Sequence, residues 1–168
     1  MCVALAALDA VVKVEGANGK TRSINFVDFH RLPETAPERD NTLAHGELIT
    51  AIELPKSPFA AKSYYLKVRD RASYAFALVS VAAALDTSPD GIIRQARIAL
   101  GGVAHKPWRA TEAEQILVGK RASDDTFKQA GEVAVKAARP LTDNKFKVTL
   151  AYRSVARALN YAMNGGAK

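Results

Sequence analysis

The stretch that decides the fold is YLKVRDRASYAFALVSVAAAL, residues 65–85. It places three cations and one acid at positions 67–71 and then carries no charge from residue 72 to residue 85. Consecutive apolar residues rich in Val and Ala are typical of a strand covered on both faces. The uncharged run is shorter than the roughly 18–20 apolar residues of a membrane-spanning helix. It therefore predicts a buried central strand, from about residue 75 to residue 85.

The segments around this strand predict an α+β domain over residues 60–165. KSYYLKV and IIRQARIAL have strand composition, and the turn residues DTSPDG precede the second of them. Helical patterns follow. Thr111 and Glu114 suggest a capping box for the first helix, the second spans about residues 124–138, and the third spans about residues 145–163. Strands followed by helices are typical of the α+β class.

The sequence pattern of residues 1–55 predicts a separate structural unit. AVVKVEG and KTRSINF flank ANG, in which Asn-Gly is a strong hairpin signal, and GELITAIELP adds a third strand. This pattern is typical of the tail of a larger mixed sheet. LPKSPF reads as a linker because proline favours edges and turns. Net charge changes there too, from −2 over residues 1–59 to +9 over residues 60–168.

The residue inventory predicts no catalytic or metal site in this chain. Cys2 is the single cysteine, and the three histidines lie far apart without metal-ligand spacing. No Walker or Rossmann glycine motif is present. We interpret Gly101 and Gly102 as a tight strand exit and His105 as a surface histidine.

The basic surplus leaves several interpretations open. Most cations of the helices are dispersed among Asp and Glu, as on a solvated face, although a nucleic-acid-binding domain is an alternative. Lys67, Arg69 and Arg71 alternate, so on one strand they would point to the same side and would need an anion or a carboxylate nearby. Arg71 is also a candidate partner of Asp70 or of an acid in residues 1–55.

Four segments in order carry a resemblance to a known family: GELITAIELP, YLKVRDRASYAFALVSVAAAL, IIRQARIALGGVAHKPWRATEAEQILVG and KFKVTLAYRSVARALNYA. They resemble the C-terminal part of the FAD-binding (medium) subunit of molybdenum hydroxylases, which include xanthine dehydrogenase, CO dehydrogenase and bacterial aldehyde oxidoreductases. The resemblance implies that residues 60–165 form a small antiparallel sheet plus a three-helix bundle. It implies that residues 1–55 end an FAD-binding α+β subdomain.

The resemblance implies an oxidoreductase subunit that carries electrons. A large subunit with a molybdenum cofactor would oxidise an aldehyde or an aromatic or heterocyclic substrate. A small subunit with 2Fe–2S clusters would pass the electrons to FAD in this subunit. The complex would reside in the bacterial cytoplasm or, exported with a partner, in the periplasm, without a membrane span and without nucleic acid.

Three cofactor-binding residues follow from the resemblance. Lys67 matches a lysine near the pyrimidine end of the flavin, where its charge would raise the flavin potential. Ile49 matches a position that contacts FAD through its backbone or apolar side chain, although a core strand residue is an equal alternative. Tyr74 is expected near the ring. Tyr74 and Leu78 stand where xanthine dehydrogenases carry an acid and a second lysine, which argues against NAD⁺ as the acceptor.

The glycine-rich loops that cradle the FAD pyrophosphate in this family have no counterpart here. We therefore expect a piece of a longer subunit, inactive by itself, that binds FAD weakly or not at all when isolated. The uncapped apolar start MCVALAALDA agrees with this expectation. The main alternative is a non-catalytic module that docks to a partner subunit through its basic helices while another chain holds FAD.

Overall fold

The computed structural model describes residues 1–165, which form two antiparallel sheets and five helices. The strands are β1 Val11–Glu15, β2 Thr21–Asn25, β3 Leu48–Glu53, β4 Ser63–Val68, β5 Val79–Thr87, β6 Ile93–Gly101 and β7 Trp108–Arg109. The helices are α1 Cys2–Ala7, α2 Phe26–Phe29, α3 Thr111–Leu117, α4 Asp124–Ala134 and α5 Phe146–Asn164, with a 3-10 turn at Pro58–Ala61. The sheet orders are β2-β1-β3 and β4-β5-β6-β7. This arrangement confirms the predicted α+β class.

The second sheet is covered on both faces. Alternate residues of β5, such as Val79 and Val81, pack into a core with α3, α4 and α5. Ala82 of β5 and Ala99 of β6 point the other way and join the apolar cluster that includes α1. The central strand is therefore buried from two sides, as its sequence predicts.

The central strand begins at Val79, so the prediction of a start near residue 75 is wrong. Residues 69–78 form a loop, which the Leu78 amide closes by donating to the Val68 carbonyl at 2.8 Å. Because β4 and β5 are antiparallel, the chain must reverse between them. Arg69 and Arg71 lie in this loop, so the predicted alternation of three cations along one strand is also wrong.

The predicted capping box is absent from α3. Ala110 occupies the N-cap position, and Thr111 is the first helical residue. Glu114 turns inward instead, where its Oε1 accepts the Ile98 amide of β6 at 2.7 Å. The Glu114 carboxylate therefore satisfies a buried backbone amide of β6 and does not cap the helix in the way that the sequence pattern predicts.

The remaining helices follow the predicted positions with shifted ends. Ser123 caps α4 by accepting the Thr126 amide, and α4 stops at Ala134 rather than near residue 138. Helix α5 crosses α4 so closely at Gly131 that a Cβ there would lie 2.4 Å from the Tyr152 carbonyl oxygen. The bundle therefore requires glycine at this crossing.

The first sheet contains the predicted hairpin, with Val12 opposite Ile24. Gly19 adopts a φ of 74° in the turn, which explains the Asn-Gly signal. One face of this sheet and α1 share an apolar cluster with Ala82 and Ala99 of the second sheet. A Cβ on Gly101 would lie 2.5 Å from Val3 Cγ2, so α1 sits directly on β6. The two sheets therefore meet around α1.

Candidate functional site

Lys67 lies on the face of the second sheet that α1 occupies. Its cross-strand partner is Ser80, which in turn pairs with Gly101, so the three residues form a row across the sheet. Directly paired residues project to the same face. Helix α1 packs on β5 and β6, and Ser80 is buried, whereas Lys67 on the edge strand β4 is exposed. Lys67 therefore stands at the open margin of this covered face.

The ammonium group of Lys67 is a free cation. Within residues 1–165 its side chain forms no hydrogen bond and no ion pair. Its paired neighbour Ser80 is neutral, so nothing in the strand pair compensates the charge. A cation of this kind retains its full attraction for an external electronegative group.

Tyr74 lies in the loop between β4 and β5. Its side chain is 95% exposed, and its φ of 52° is uncommon for a residue with a Cβ. The Arg71 guanidinium donates to the Tyr74 carbonyl and lies 6.0 Å from the centre of the Tyr74 ring. Arg71 therefore supports the loop, and the expected pairing with Asp70 is not formed among the described residues.

Ile49 lies on the first sheet, in the edge strand β3. It pairs with Val14, so it shares the sheet face that turns toward the cluster around α1. Its side chain remains 46% exposed at the rim of that cluster. Strand β3 pairs with β1 alone in its sheet. The structure thus places Lys67 and Tyr74 at one loop, and Ile49 on a different sheet.

A small groove lies between α1 and β4, and Lys67 is not among its lining residues. Its volume is about 160 Å³, and Ala82 and Ala84 are among the small residues that line it, with Leu8 of the α1 end and Tyr65 of β4. Tyr65 projects from the same strand face as Lys67 because the two are separated by one residue. Lys67 therefore lies on the same face of β4 as this groove, two residues further along the strand than Tyr65.

A charged network joins α1 to the second sheet, and no local pattern in the sequence indicates it. Arg109 Nη1 of β7 donates to Asp9 Oδ1 at 2.5 Å and to the Ala6 carbonyl at 2.7 Å. Its Nη2 donates to Glu114 Oε2 at 3.1 Å. Arg97 Nε donates to the second Asp9 oxygen at 2.9 Å. This network fixes the end of α1 on β6 and β7, at the opposite side of the sheet from the edge strand β4 that carries Lys67.

Electrostatics in this network favour the ionised forms. Burial alone would raise the pKa of Asp9, but the hydrogen bonds and charges of Arg109 and Arg97 hold that pKa below its usual value. Burial alone would lower the pKa of Arg109, but Glu114 and Asp9 raise it. Asp9 and Arg109 therefore both stay charged at neutral pH.

The donor set at this margin fits a flavin. A free ammonium group suits the electronegative pyrimidine edge of the ring, and an exposed aromatic side chain suits its face. No group of three or more His, Cys, Asp or Glu residues in the described part of the chain is arranged to hold a metal ion.

Two family sequence models match the chain. The FAD binding domain in molybdopterin dehydrogenase matches residues 1–57. The CO dehydrogenase flavoprotein C-terminal domain matches residues 64–162, which is more than half of the chain. The chain belongs to this flavoprotein family. This confirms the resemblance to medium subunits of molybdenum hydroxylases.

Individual relatives of this flavoprotein chain agree. The aldehyde oxidoreductase FAD-binding subunit PaoB of Escherichia coli strain K12 is 48% identical over 160 residues, 95% of this chain and 46% of the relative. The glyceraldehyde dehydrogenase medium chain of Sulfolobus acidocaldarius is 35% identical over 145 residues, 86% of this chain and 48% of the relative. The chain thus spans about half the length of these relatives.

Solved structures share the flavoprotein fold. Quinoline 2-oxidoreductase from Pseudomonas putida 86 matches with a TM-score of 0.84 and 27% identity, over 98% of this chain and 56% of that one. Reconstituted CO dehydrogenase from Oligotropha carboxidovorans matches with a TM-score of 0.85 and 25% identity, over the same shares. Among residues 1–165, no helix combines the length and apolar character that crossing a bilayer demands.

Proposed function

We propose that this chain is the C-terminal part of the FAD-binding subunit of a molybdenum hydroxylase. Residues 1–55 would complete the FAD-binding subdomain, and residues 60–165 would form the C-terminal domain. The large partner would hold the molybdenum cofactor, and the small partner would hold the 2Fe–2S clusters. The family matches and the names of the relatives support this assignment. The similarity to PaoB favours an aldehyde as the substrate of the complex.

The free cation of Lys67 is the observation that carries the role of this chain. We assign Lys67 to the pyrimidine edge of FAD, Tyr74 to the ring, and Ile49 to an apolar or backbone contact. FAD, when bound, supplies the electron transfer between the iron–sulfur clusters and the acceptor. The ammonium group of Lys67 favours any state that places more negative charge near it.

The size of this effect follows from the exposure of Lys67. A partly solvated charge contact is worth about 1 kcal/mol. For a two-electron couple 30 mV corresponds to about 1.4 kcal/mol, so the lysine should raise the flavin potential by roughly 20 mV. Lys67→Met keeps the length of the side chain and removes this contribution.

The test uses the complete complex, purified with the Lys67→Met subunit. We expect the flavin midpoint potential to fall by roughly 20 mV relative to the natural subunit. Lys20→Met, an exposed lysine in the β1–β2 turn, is the matched control and should leave the potential unchanged. An unchanged potential in Lys67→Met would contradict the assignment and favour a docking module that leaves FAD to another chain.

The isolated chain provides a second test. Because it lacks the glycine-rich pyrophosphate loops of the family, we propose that it binds FAD weakly or not at all. Absorbance near the flavin bands after purification and gel filtration measures this directly. A purified chain that retains one FAD would refute this part of the proposal without affecting the role of Lys67.

A further inference from the structure

A larger cavity lies on the helical side of the second sheet, opposite the face that carries Lys67. Its volume is about 320 Å³, within the roughly 300–1,000 Å³ of small-molecule pockets. The end of β6, strand β7, the end of α4 and the start of α5 surround it. None of its lining residues belongs to β3, to β4 or to the loop at residues 69–78. The cavity is therefore separate from the proposed flavin contacts.

Most of the cavity wall is apolar. Leu100 of β6, Val148 of α5 and the Trp108 indole contribute to it, and Trp108 also borders a smaller neighbouring cavity of about 110 Å³. Trp108 is half-buried, and it is the single tryptophan of the sequence. An aromatic wall of this kind favours a flat or compact apolar ligand body.

The polar groups of the cavity are cationic. Arg139 and Lys147 line it, and no aspartate or glutamate does. Lys147 Nζ donates one hydrogen bond, to the Gly102 carbonyl at 3.0 Å, which leaves its charge without a carboxylate. Arg139 forms no hydrogen bond or ion pair within residues 1–165.

Two acceptors that line the cavity are already in use. The Val135 carbonyl, just after α4, accepts the Ala138 amide at 2.9 Å. Asn144 Oδ1 accepts the Leu141 amide at 2.7 Å. Two cations therefore face an apolar cavity, and no carboxylate side chain of residues 1–165 lines it.

We propose that this cavity binds a small carboxylate with an apolar, preferably aromatic, body. The carboxylate would lie between Arg139 and Lys147, since a guanidinium and a carboxylate match in shape and charge. The apolar body would pack against Trp108. A carboxylate is favoured over an uncharged ligand because it can form charge-assisted hydrogen bonds with the partly buried Lys147 and with Arg139, which is exposed at the rim.

The test uses benzoate as the probe and benzamide as its uncharged isostere. Both are titrated into the full chain while Trp108 emission is recorded, so the signal reports on the cavity itself. We expect a saturable change in emission with benzoate. Benzamide should bind at least about tenfold more weakly, because it cannot form the charge-assisted hydrogen bonds of a carboxylate. Equal affinity for the two probes, or no saturable change with benzoate, would overturn the proposal.

Matched variants locate the binding. Arg139→Gln and Lys147→Gln should each weaken benzoate about tenfold and leave benzamide unchanged. Lys136→Gln, an exposed neighbour outside the cavity lining, should bind benzoate as the natural chain does. Thermal melts of the variants check that each one folds. Equal loss in Lys136→Gln, or a Trp108 response to an acidic peptide but not to benzoate, would reject a small carboxylate as the ligand.

Discussion

Replacement of Arg109 by Gln should destabilise the chain, because this side chain belongs to a largely buried group of charges. The Arg109 side chain is 13% exposed and that of Glu114 is 10% exposed. The substitution leaves Glu114 without its cationic partner in a nearly dry site. It also removes the hydrogen bonds that Arg109 donates to Asp9 and Ala6.

The expected cost can be estimated from burial. Breaking a buried ion pair by removing one partner costs about 3–5 kcal/mol. We expect about 3 kcal/mol here, because Asp9, one of the two partners of Arg109, is half-exposed. For a chain of this size 1 kcal/mol shifts the melting temperature by about 2–4 °C, so Arg109→Gln should lower it by about 6–12 °C. Thermal unfolding followed by circular dichroism at pH 7 measures the shift.

Arg94→Gln is the matched control. Arg94 also binds a carboxylate with two nitrogens, at 3.0 and 2.6 Å from the oxygens of Asp86, but its side chain is 58% exposed. An exposed pair contributes about 1 kcal/mol at most, which corresponds to about 4 °C or less. Equal shifts in the two variants would refute the reasoning, because burial would then not determine the cost.

Two further outcomes are expected. On an exposed helix Gly131→Ala would stabilise the chain by about 1 kcal/mol through helix propensity. Here the clash with the Tyr152 carbonyl should instead lower the free energy of unfolding by about 1–2 kcal/mol, as measured in urea, and a stabilised variant would disprove the close crossing. Hydrogen bonds from Arg22 and from the Ala44 amide lower the pKa of Glu47 to about 2. Because this pKa is depressed, Glu47→Gln should speed hydrogen exchange of the Ala44 amide above about pH 4.5, and the difference should vanish toward pH 2. A difference in the Ala44 exchange rate that grows as the pH falls would contradict this prediction.

Local pattern predicted much of the fold. The Asn-Gly turn fixed the β1–β2 hairpin, and the apolar run ending at Leu85 identified the central strand. Its start was misplaced because YAFAL has strand composition, and only the antiparallel pairing of β4 with β5 shows that the chain must turn there. An apolar loop and an apolar strand can have the same composition, and here the hydrogen-bonded pairing with β4 determines where β5 begins.

The site was predicted in part. The resemblance selected Lys67, and the structure adds why this cation is free: α1 covers β5 and β6 but leaves the edge strand open. The link between Arg109 and Glu114 was missed because Glu114 also satisfies a capping-box spacing. The Ile98 amide, distant in sequence, decides between the two uses of this carboxylate. Long-range contacts of this kind leave no local signal.

The position of α1 also has a consequence for biosynthesis. Asp9, just after this helix, binds Arg109, a partner 100 residues later in the chain. At roughly 5–20 residues per second, the helix leaves the ribosome roughly 5–20 seconds before its docking surface has been translated. During that interval α1 can pack only on the first sheet and α2, with which it shares an apolar cluster. The face of α1 that later meets β5 and β6 stays open while the polypeptide is still growing, so a chaperone or an early-binding partner could cover it.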